Sequence, residues 1–573
     1  MKQTEINPID KKYGNAMLVV VMAMMFLFFI VQTLFNTKGE PREAIVAVSM
    51  LNSGNWILPV SFGADIPYKP PMLAWCIAAV SWILGGEVTE FSSRLPSVVA
   101  AAVMVVATNR FFRRNSGSQL VGAATAWITI SSLEVFRAAT ACRVDMLLTM
   151  FIVTATYLLF GFFQRGCRGG LPWLAIAAMS GAALTKGPVG VGLPCLVIGI
   201  YRLMCGDRFL PLAGRLVAAG LLACVLPALW YVAAWQQGGE GFLDLAMEEN
   251  LGRLTGTMSY ASHENPVYYN FLTIIAGMVP YTLLALLSLA AVRWRTLRED
   301  IRRCFARRGE MSQLTLFALV AALTILVFYS IPKSKRSVYL LPMYPFMAYF
   351  VVLLIGWLSR EREVVLKWFA RIMAAIAVII PVAYMVLLTG VLDSVDAVAR
   401  LGFSQDFGMA SVGCMLGMIT VFIGVGSWRG TMASSGSGRR PRLFEGYFGD
   451  ASMSILAIYM MLNIAVLPTL LSAKSDRCLV AHVAEYVAPD DTLYSFVASD
   501  MLRFYTLNFY LGDRIRLIER EKPDSGVMIA GKKDFDVFVS AHGSEYRFRT
   551  LYEGEKKGCD VRQVPILVEF IRK

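Results

Sequence analysis

Acidic and basic side chains gather at a few points of a chain that is otherwise strongly apolar. They are Glu40, Arg42 and Glu43 in GEPREA, Tyr68 and Lys69 in YKPP, Arg143 and Asp145 in CRVDMLL, and Lys186 in LTKGP. Further along come Arg253 and His263 in ENLGRLTGTMSYASHENP, then Lys333, Lys335, Arg336 and Tyr339 in PKSKRSVYLLP. A positioned carboxylate can take the proton of a hydroxyl nucleophile. Lysine and arginine at headgroup depth can make charge-assisted hydrogen bonds to a phosphate carried on a membrane lipid. Each residue also has a plainer use. Basic side chains snorkel to headgroups, Asp145 suits the N-terminus of the apolar helix that follows it, and Glu40 and Glu43 suit the acidic first turn of a helix through AIVAVSML. A lone histidine such as His263 reads first as structural. With Glu248 or Glu249 it has the donor types for a divalent ion, though the spacing does not demand one. Tyr260, Tyr268 and Tyr269 read as an interfacial aromatic belt, with sugar stacking as their other use.

The elements that must position these residues are membrane helices. The chain has 573 residues, of which 56% are hydrophobic and only 17% charged, with a mean hydropathy of +0.56, more than a water-soluble core needs. The net charge of +13, from 54 basic and 41 acidic residues, sits mainly between apolar runs. That is the pattern of cytoplasmic loops rather than of a nucleic-acid binder. The ten cysteines are scattered, without a CxxC or Cys/His cluster, so no disulfide framework is implied. A span needs about 20 apolar residues. Thirteen crossings are predicted: 15–35, 95–108, 119–135, 146–163, 171–185, 188–203, 212–235, 267–292, 313–331, 338–358, 369–389, 408–427 and 451–472. The first, after a polar segment with Lys11 and Lys12, reads as an uncleaved signal anchor. The short apolar run 70–84 is expected to lie at the outer interface.

The positive-inside rule then puts Arg110, Arg113, Arg114, Arg165, Arg168 and the basic stretches 293–308, 360–367 and 429–442 on the cytoplasmic side. The same alternation brings the first loop (38–94), Asp145, Lys186, 236–266 and 332–337 to the opposite face, which is why the charged residues above can share one site. Ionisable groups at membrane boundaries are costly unless they pair, snorkel or act. From residue 474 to 573 the composition turns to mixed polar and apolar, with the β-forming runs TLYSFV, FDVFVS and VPILVEF, so a small α/β domain on the outer side is expected. MASSGSGRRPR reads as a flexible cytoplasmic loop. No Walker A, strand-linked GxGxxG, HExxH or GxSxG motif appears, which argues against nucleotide chemistry.

In order, GEPREA, SGNWILP, YKPP, RVDMLLT, LTKGPVG, ENLGRLTG with SHENP, and SKRSVYLLPMYP resemble the bacterial lipid-linked glycosyltransferases of the GT-C class. The likeness is greatest to the aminoarabinose transferase and its relatives in the protein O-mannosyltransferase superfamily, and it covers roughly residues 10–350. It implies a polytopic helical fold (residues 1–473) with a large first outer loop bearing juxtamembrane helices, and a site at the outer face. It also implies a polyprenyl-phosphate sugar as donor. In the family's terms Glu40 matches the second acid of the first-loop motif, whose first acid is here Gly39. Asp145 matches the other acidic site, Lys69 the lysine of the (E)KP motif, and Tyr339 the tyrosine before Leu-Pro. Tyr68 replaces a glutamate of relatives, which argues against a bound metal, so no cofactor is expected.

The resulting expectation is an enzyme of the bacterial inner membrane with a cytoplasmic N-terminus and a periplasmic site and C-terminal domain. Glu40, with Asp145 and Glu43 beside it, serves as base. Arg42, Tyr68, Lys69, Arg143, Lys186, Arg253, His263, Lys333, Lys335, Arg336 and Tyr339 hold lipid phosphate and sugar. The acceptor is a lipid, glycan or protein of the envelope, and membrane lipids surround the chain. A transporter without chemistry, or an oligosaccharide ligase, is the alternative. A transporter more often carries its ionisable groups at mid-span on broken helices.

Overall fold

The computed structural model describes residues 22–23, 26, 29–31, 33–67, 69–167, 170–249, 264–291, 312–391, 394, 407–433, 446–499 and 502–573. The predicted first span, the basic stretch 293–308 and most of the loop 434–442 lie largely or wholly outside these residues.

Helix α1 (Pro41–Ser53) opens the loop 38–94, with Pro41 at its first position and Gly54 at φ 68° ending it. Proline suits the first turn because its missing N–H has no intrahelical partner there, and a left-handed C-terminal residue favours glycine. Helix α2 (Met72–Ile83) is the short apolar segment expected at the interface, and its tip leaves Trp82 and Ile83 73% and 75% exposed. It packs between α1 and α3 (Glu90–Ser116), the latter begun by a capping box between Thr89 and Ser92.

The predicted span 119–135 is broken. Helices α4 (Gln119–Ile130) and α5 (Leu133–Ala139) meet at 70°. Ser131 and Ser132 donate to the carbonyls of Trp127 and Ile128, Tyr459 donates to the Ser131 carbonyl, and Leu133 N donates to Val279 O, so the backbone groups freed by the bend are satisfied. Helices α6 (Val144–Gln164), α7 (Trp173–Lys186), α8 (Val189–Met204) and α9 (Phe209–Met247) follow; α9 is interrupted at Gly239, φ 59°. The predicted span 267–292 is also broken, into α10 (Tyr269–Gly277) and α11 (Tyr281–Ala291), bent by 103°. Helix α12 (Gln313–Ser330), a 3-10 turn (Ser337–Met343), α13 (Tyr344–Glu361), α14 (Glu363–Leu388), α15 (Phe407–Ala433) and α16 (Tyr447–Met461) complete the bundle.

Eight helices among the described residues are long and apolar enough to cross a membrane, ten if each bent pair counts as one span. Against the thirteen expected, α7 and α8 are helices of 14 and 16 residues, shorter than the ~20 that a straight crossing uses. Many large apolar side chains on α9 and α14 stay exposed, Leu221 at 67% and Ile379 at 62% among them, which suits a surface facing lipid rather than water. The chain is a multi-span membrane protein.

The C-terminal segment folds around a five-stranded sheet ordered β2-β1-β3-β5-β4, from β1 (Leu493–Phe496), β2 (Ile515–Leu517), β3 (Ser525–Gly531), β4 (Tyr546–Glu553) and β5 (Pro565–Arg572). The first three strands are parallel, and β5 runs antiparallel to β3 and β4, with Ile529 opposite Leu567. Alternation sends Leu493, Ile529 and Leu567 to one face and Phe496, Met528 and Phe570 to the other. TLYSFV and VPILVEF hold strands as expected. FDVFVS instead lies in the helix Lys532–His542, whose N-terminal amides at Lys533 and Asp534 donate to Gln563 Oε1. A tertiary cap outweighs the weak local preference of two valines.

This domain grips the first loop. Phe62, 1% exposed, joins its core and meets Tyr505 edge-on at 5.6 Å, a burial that stabilises by about 1.5–3 kcal/mol. Phe35 packs on Phe509 at 4.8 Å, Arg503 pairs with Asp65 at 2.9 Å, and Tyr510 donates to Glu90 at 2.7 Å.

Candidate functional site

The start of α1 presents two carboxylates three residues apart, and they meet different partners. Glu40 is buried. Its Oε1 accepts from Arg94 Nε at 2.8 Å and from Cys142 N at 3.0 Å, and its Oε2 accepts from Arg94 Nη2 at 3.0 Å. Arg94, 1% exposed, also donates through Nη1 to Thr33 O. Burial pushes Glu40 up, and the Arg94 charge and hydrogen bonds with the Cys142 amide more than reverse it, holding the carboxyl below its ordinary range. Both oxygens are committed to a planar guanidinium fork. Glu40, expected as the base, thus ties the start of α1 to α3 through this fork.

Glu43 faces the other way. Its Oε1 contacts Lys69 Nζ, and Arg42 Nη2 lies 3.6 Å away. Burial pushes Glu43 up, and the Lys69 and Arg42 charges hold it below the ordinary range. Burial in turn brings the Lys69 ammonium down to about 8, with the Glu43 charge opposing that fall. Asp145, in the first turn of α6, makes a 2.6 Å ion pair with Lys186 at the end of α7. The helix is not side-chain capped, so capping does not account for this carboxylate. Lys186 Nζ also lies 4.2 Å from the centre of the Tyr339 ring, a cation–π contact. The charges of Lys69 and Arg336 act on Asp145 as well, which brings Glu43, Lys69, Asp145, Lys186, Arg336 and Tyr339 into one cluster.

Arg143 joins this cluster through Gly39. A Cβ at position 39 would collide with the Arg143 guanidinium, and the Arg143 charge reaches both Glu40 and Glu43. The glycine at position 39 therefore makes room for a cation. Beside Glu43 and Lys69 opens a small cavity whose other walls are apolar, among them Met50, Ile57, Leu73 and Trp230. Trp230 Nε1 donates to Ile57 O at 3.1 Å and so holds α9 against the loop.

Two expected cations stand apart. Lys335 is buried and donates to Pro332 O at 2.6 Å within its own turn, and Lys333 is exposed. Sequence alternation brought the whole KSKR run to one face, whereas the turn, stitched to Asn265 through the carbonyls of Lys333 and Lys335, sends only Arg336 toward Asp145. Tyr68, Arg253 and His263 lie outside the described residues. The sequence reading missed Arg94 as the partner of Glu40, although an arginine directly before an apolar run is a usable signal. It also missed Glu134 and Arg137, paired at 2.6 Å on α5, with Arg137 reaching Ser337 Oγ at 3.2 Å; only the bend at Ser131 brings these two beside the cluster.

Among the described residues one group of three side chains has metal-ligating atoms close together, Asp476, Cys559 and Asp560 in the C-terminal segment. Their oxygens already accept from the Cys559 amide and from Thr506, and burial with the Asp476 charge pushes Asp560 up to about 8. Both carboxyls are thus hydrogen-bonded within the C-terminal domain.

Residues 68–231, which carry Lys69, Asp145, Lys186 and Trp230, match the family model of dolichyl-phosphate-mannose-protein mannosyltransferase. The crystal structure of ArnT from Cupriavidus metallidurans bound to undecaprenyl phosphate superposes with a TM-score of 0.67 at 19% identity, over 97% of this chain and 98% of that one. The chain has a GT-C fold. An uncharacterized protein of Aquifex aeolicus is 31% identical over 334 residues, 58% of this chain and 62% of that protein. The undecaprenyl phosphate-alpha-4-amino-4-deoxy-L-arabinose arabinosyl transferase 2 of Proteus mirabilis is 25% identical over 344 residues, 59% of this chain and 58% of that one. The match thus spans about three fifths of the length of these relatives, and the resemblance to the aminoarabinose transferase and protein O-mannosyltransferase superfamily rests on that part and on the shared fold.

Proposed function

We propose that this GT-C protein is an integral-membrane glycosyltransferase that moves a sugar from a polyprenyl phosphate to an acceptor on a cell-envelope glycolipid, glycan or protein, at the periplasmic face of a bacterial inner membrane. The observation that carries the reading is the Glu43–Lys69 pair set into the wall of an otherwise apolar cavity, with Asp145–Lys186 and Arg336 beside it. An apolar slot suits the first isoprene units of the donor, and a half-buried ammonium at its wall suits the phosphate. The binding of undecaprenyl phosphate by the Cupriavidus protein of like fold supports the donor class. Arginines such as Arg110, Arg113 and Arg114, at the far end of α3 from Glu90, support the orientation.

In this reading the donor phosphate draws the ammonium of Lys69 to itself, and Glu43 is released to accept the acceptor hydroxyl's proton. The acceptor oxygen bonds to the anomeric carbon as the bond from that carbon to the phosphate oxygen breaks, and the electron pair leaves on polyprenyl phosphate. Lys69 and Arg336 stabilise the charge that develops there. Asp145 fixes Lys186 on the Tyr339 ring, next to the reacting groups. A single displacement inverts the anomeric centre. Residue by residue, these steps use the protein's own cations and carboxylates, and no metal is invoked.

The test is transfer by purified protein in liposomes from synthetic polyprenyl-phosphate sugars, with Glu43→Gln, Asp145→Asn and Glu40→Gln compared. Glu43→Gln is expected to lower kcat by about 10²- to 10⁴-fold, the range of general-base assistance, in protein that still folds. A wild-type rate for Glu43→Gln sinks the assignment, and lipid transport without any product sinks the enzyme.

A further inference from the structure

The C-terminal domain touches the first loop at the two elements that carry the Glu43–Lys69 pair. One side chain, Asp513, reaches both. Its Oδ2 accepts from Ser49 Oγ on α1 at 2.7 Å, and its Oδ1 accepts from Phe62 N at 2.9 Å, in the segment that runs on to Lys69. Oδ1 accepts also from Asn508 Nδ2 at 2.7 Å, inside the C-terminal domain. Ser49 and Ser61 close the triangle with a 2.9 Å hydrogen bond between their hydroxyls.

The carboxylate is held rigidly in turn. Asp513 is 8% exposed and sits at φ 65°, a left-handed conformation that aspartate tolerates better than most residues. Its amide donates to Asn508 O at 2.9 Å, while Ile515 N donates to Asn508 Oδ1 at 2.8 Å. Next to it Gly512 O accepts from Asn52 Nδ2 at 3.0 Å, a second tie to the C-terminal half of α1. At the opposite end of α1 stands the Glu40–Arg94 pair. Glu43 therefore lies between two fixed points on one helix, about 9 Å along the axis from Ser49 at 1.5 Å per residue.

We propose that Asp513 is a positioning residue: its two oxygens hold α1 and the 61–69 segment in the register that brings Glu43 and Lys69 together at the cavity wall. The C-terminal domain is thus part of the catalytic apparatus through this carboxylate, without touching substrate. The inference rests on the Glu43 reading above. Asparagine keeps the size of the side chain but has one acceptor oxygen instead of two, so Asp513→Asn turns an NH₂ toward either the Ser49 hydroxyl or the Phe62 amide. On the Oδ1 side that NH₂ meets two outright donors, the Phe62 amide and Asn508 Nδ2, and on the Oδ2 side it removes the acceptor to which the Ser49 hydroxyl of α1 donates. Misplacing a reacting group by about 1 Å can cost about 10²-fold in rate.

The experiment measures kcat, the donor KM and the detergent melting temperature for wild type, Asp513→Asn, Glu43→Gln and the double variant, with Tyr510→Phe as a control. Tyr510→Phe removes the hydrogen bond to Glu90 at another point of the same interface. Asp513→Asn is expected to lower kcat about 10- to 100-fold in the wild-type background and less than about threefold in the Glu43→Gln background, because a misplaced carboxylate matters only while it is there. Tyr510→Phe is expected to keep its rate at a similar loss of melting temperature, and Asp513→Glu to recover part of kcat. Equal fold losses in both backgrounds, or rates that follow melting temperature across Asp513→Asn and Tyr510→Phe, overturn the inference and leave the Glu43 reading standing. A wild-type rate for Glu43→Gln overturns both.

Discussion

Glu40 and Glu43 are one helical turn apart, the first buried and the second half-buried, and each is paired with a basic side chain, yet they are different objects. Arg94 meets Glu40 with two nitrogens of a rigid plane, the Cys142 amide adds a third donor, and neither side chain lines the cavity beside Glu43. Lys69 meets Glu43 with one rotatable ammonium, and the pair borders the apolar cavity. A saturated carboxylate in a closed shell is a clamp, because separating it from its fork leaves two buried charges without solvent. A carboxylate held by the flexible ammonium of Lys69, with Arg42 3.6 Å away, can change partners when a phosphate arrives. Charge pairing alone does not mark a catalytic acid in a membrane protein. What the partner can do next decides it.

The comparison can be broken most sharply by neutralising each acid in turn. Glu43→Gln is expected to lose about 10²- to 10⁴-fold in kcat with little change in melting temperature, whereas Glu40→Gln is expected to be limited by folding. Arg94→Ala, which strands Glu40 in the interior, is expected to cost about 3–5 kcal/mol of stability. It should be read as loss of folded protein on size-exclusion in detergent, and a stable Arg94→Ala variant contradicts the clamp.

A pH series sharpens the other side. Because burial brings the Lys69 ammonium down to about 8, the binding form is present below that pH and is lost above it. Donor affinity is then expected to fall about tenfold per pH unit above 8 in the wild type and to lose that dependence in Lys69→Met. Flat donor binding between pH 7 and 10 goes against Lys69 as the phosphate ligand. Gly39→Ala is expected to displace Arg143 at a cost of about 1 kcal/mol or less, since the colliding atoms are the end of a flexible side chain. The smallest effect is expected for Lys333→Ala, an exposed residue, within about 0.5 kcal/mol in stability and with an unchanged transfer rate.

Much of this was legible in the chain. Hydropathy gave a polytopic membrane fold, and loop arginines gave an alternation that collected Glu43, Lys69, Asp145, Lys186 and Arg336 on one face, where the structure indeed brings them together. Span counting was less secure. The breaks at Ser131 and near Val279 depend on partners far along the chain, such as Tyr459 donating to the Ser131 carbonyl, and a window of apolar residues contains no trace of them. FDVFVS misled in the same way, since Gln563, far along the chain, caps the helix that holds it.

The sequence by itself determined the solvent of this protein and that these charged groups gather on one face, because hydropathy and loop charge act locally and sum along the chain. Only the tertiary structure decided which acid is clamp and which is poised at a cavity. That choice depends on which cation reaches each carboxylate, with what geometry and with what space beside it. It is fixed by Arg94, Lys69 and Asp513, residues 26 to 464 positions away from the groups they hold, and no local pattern ties them together.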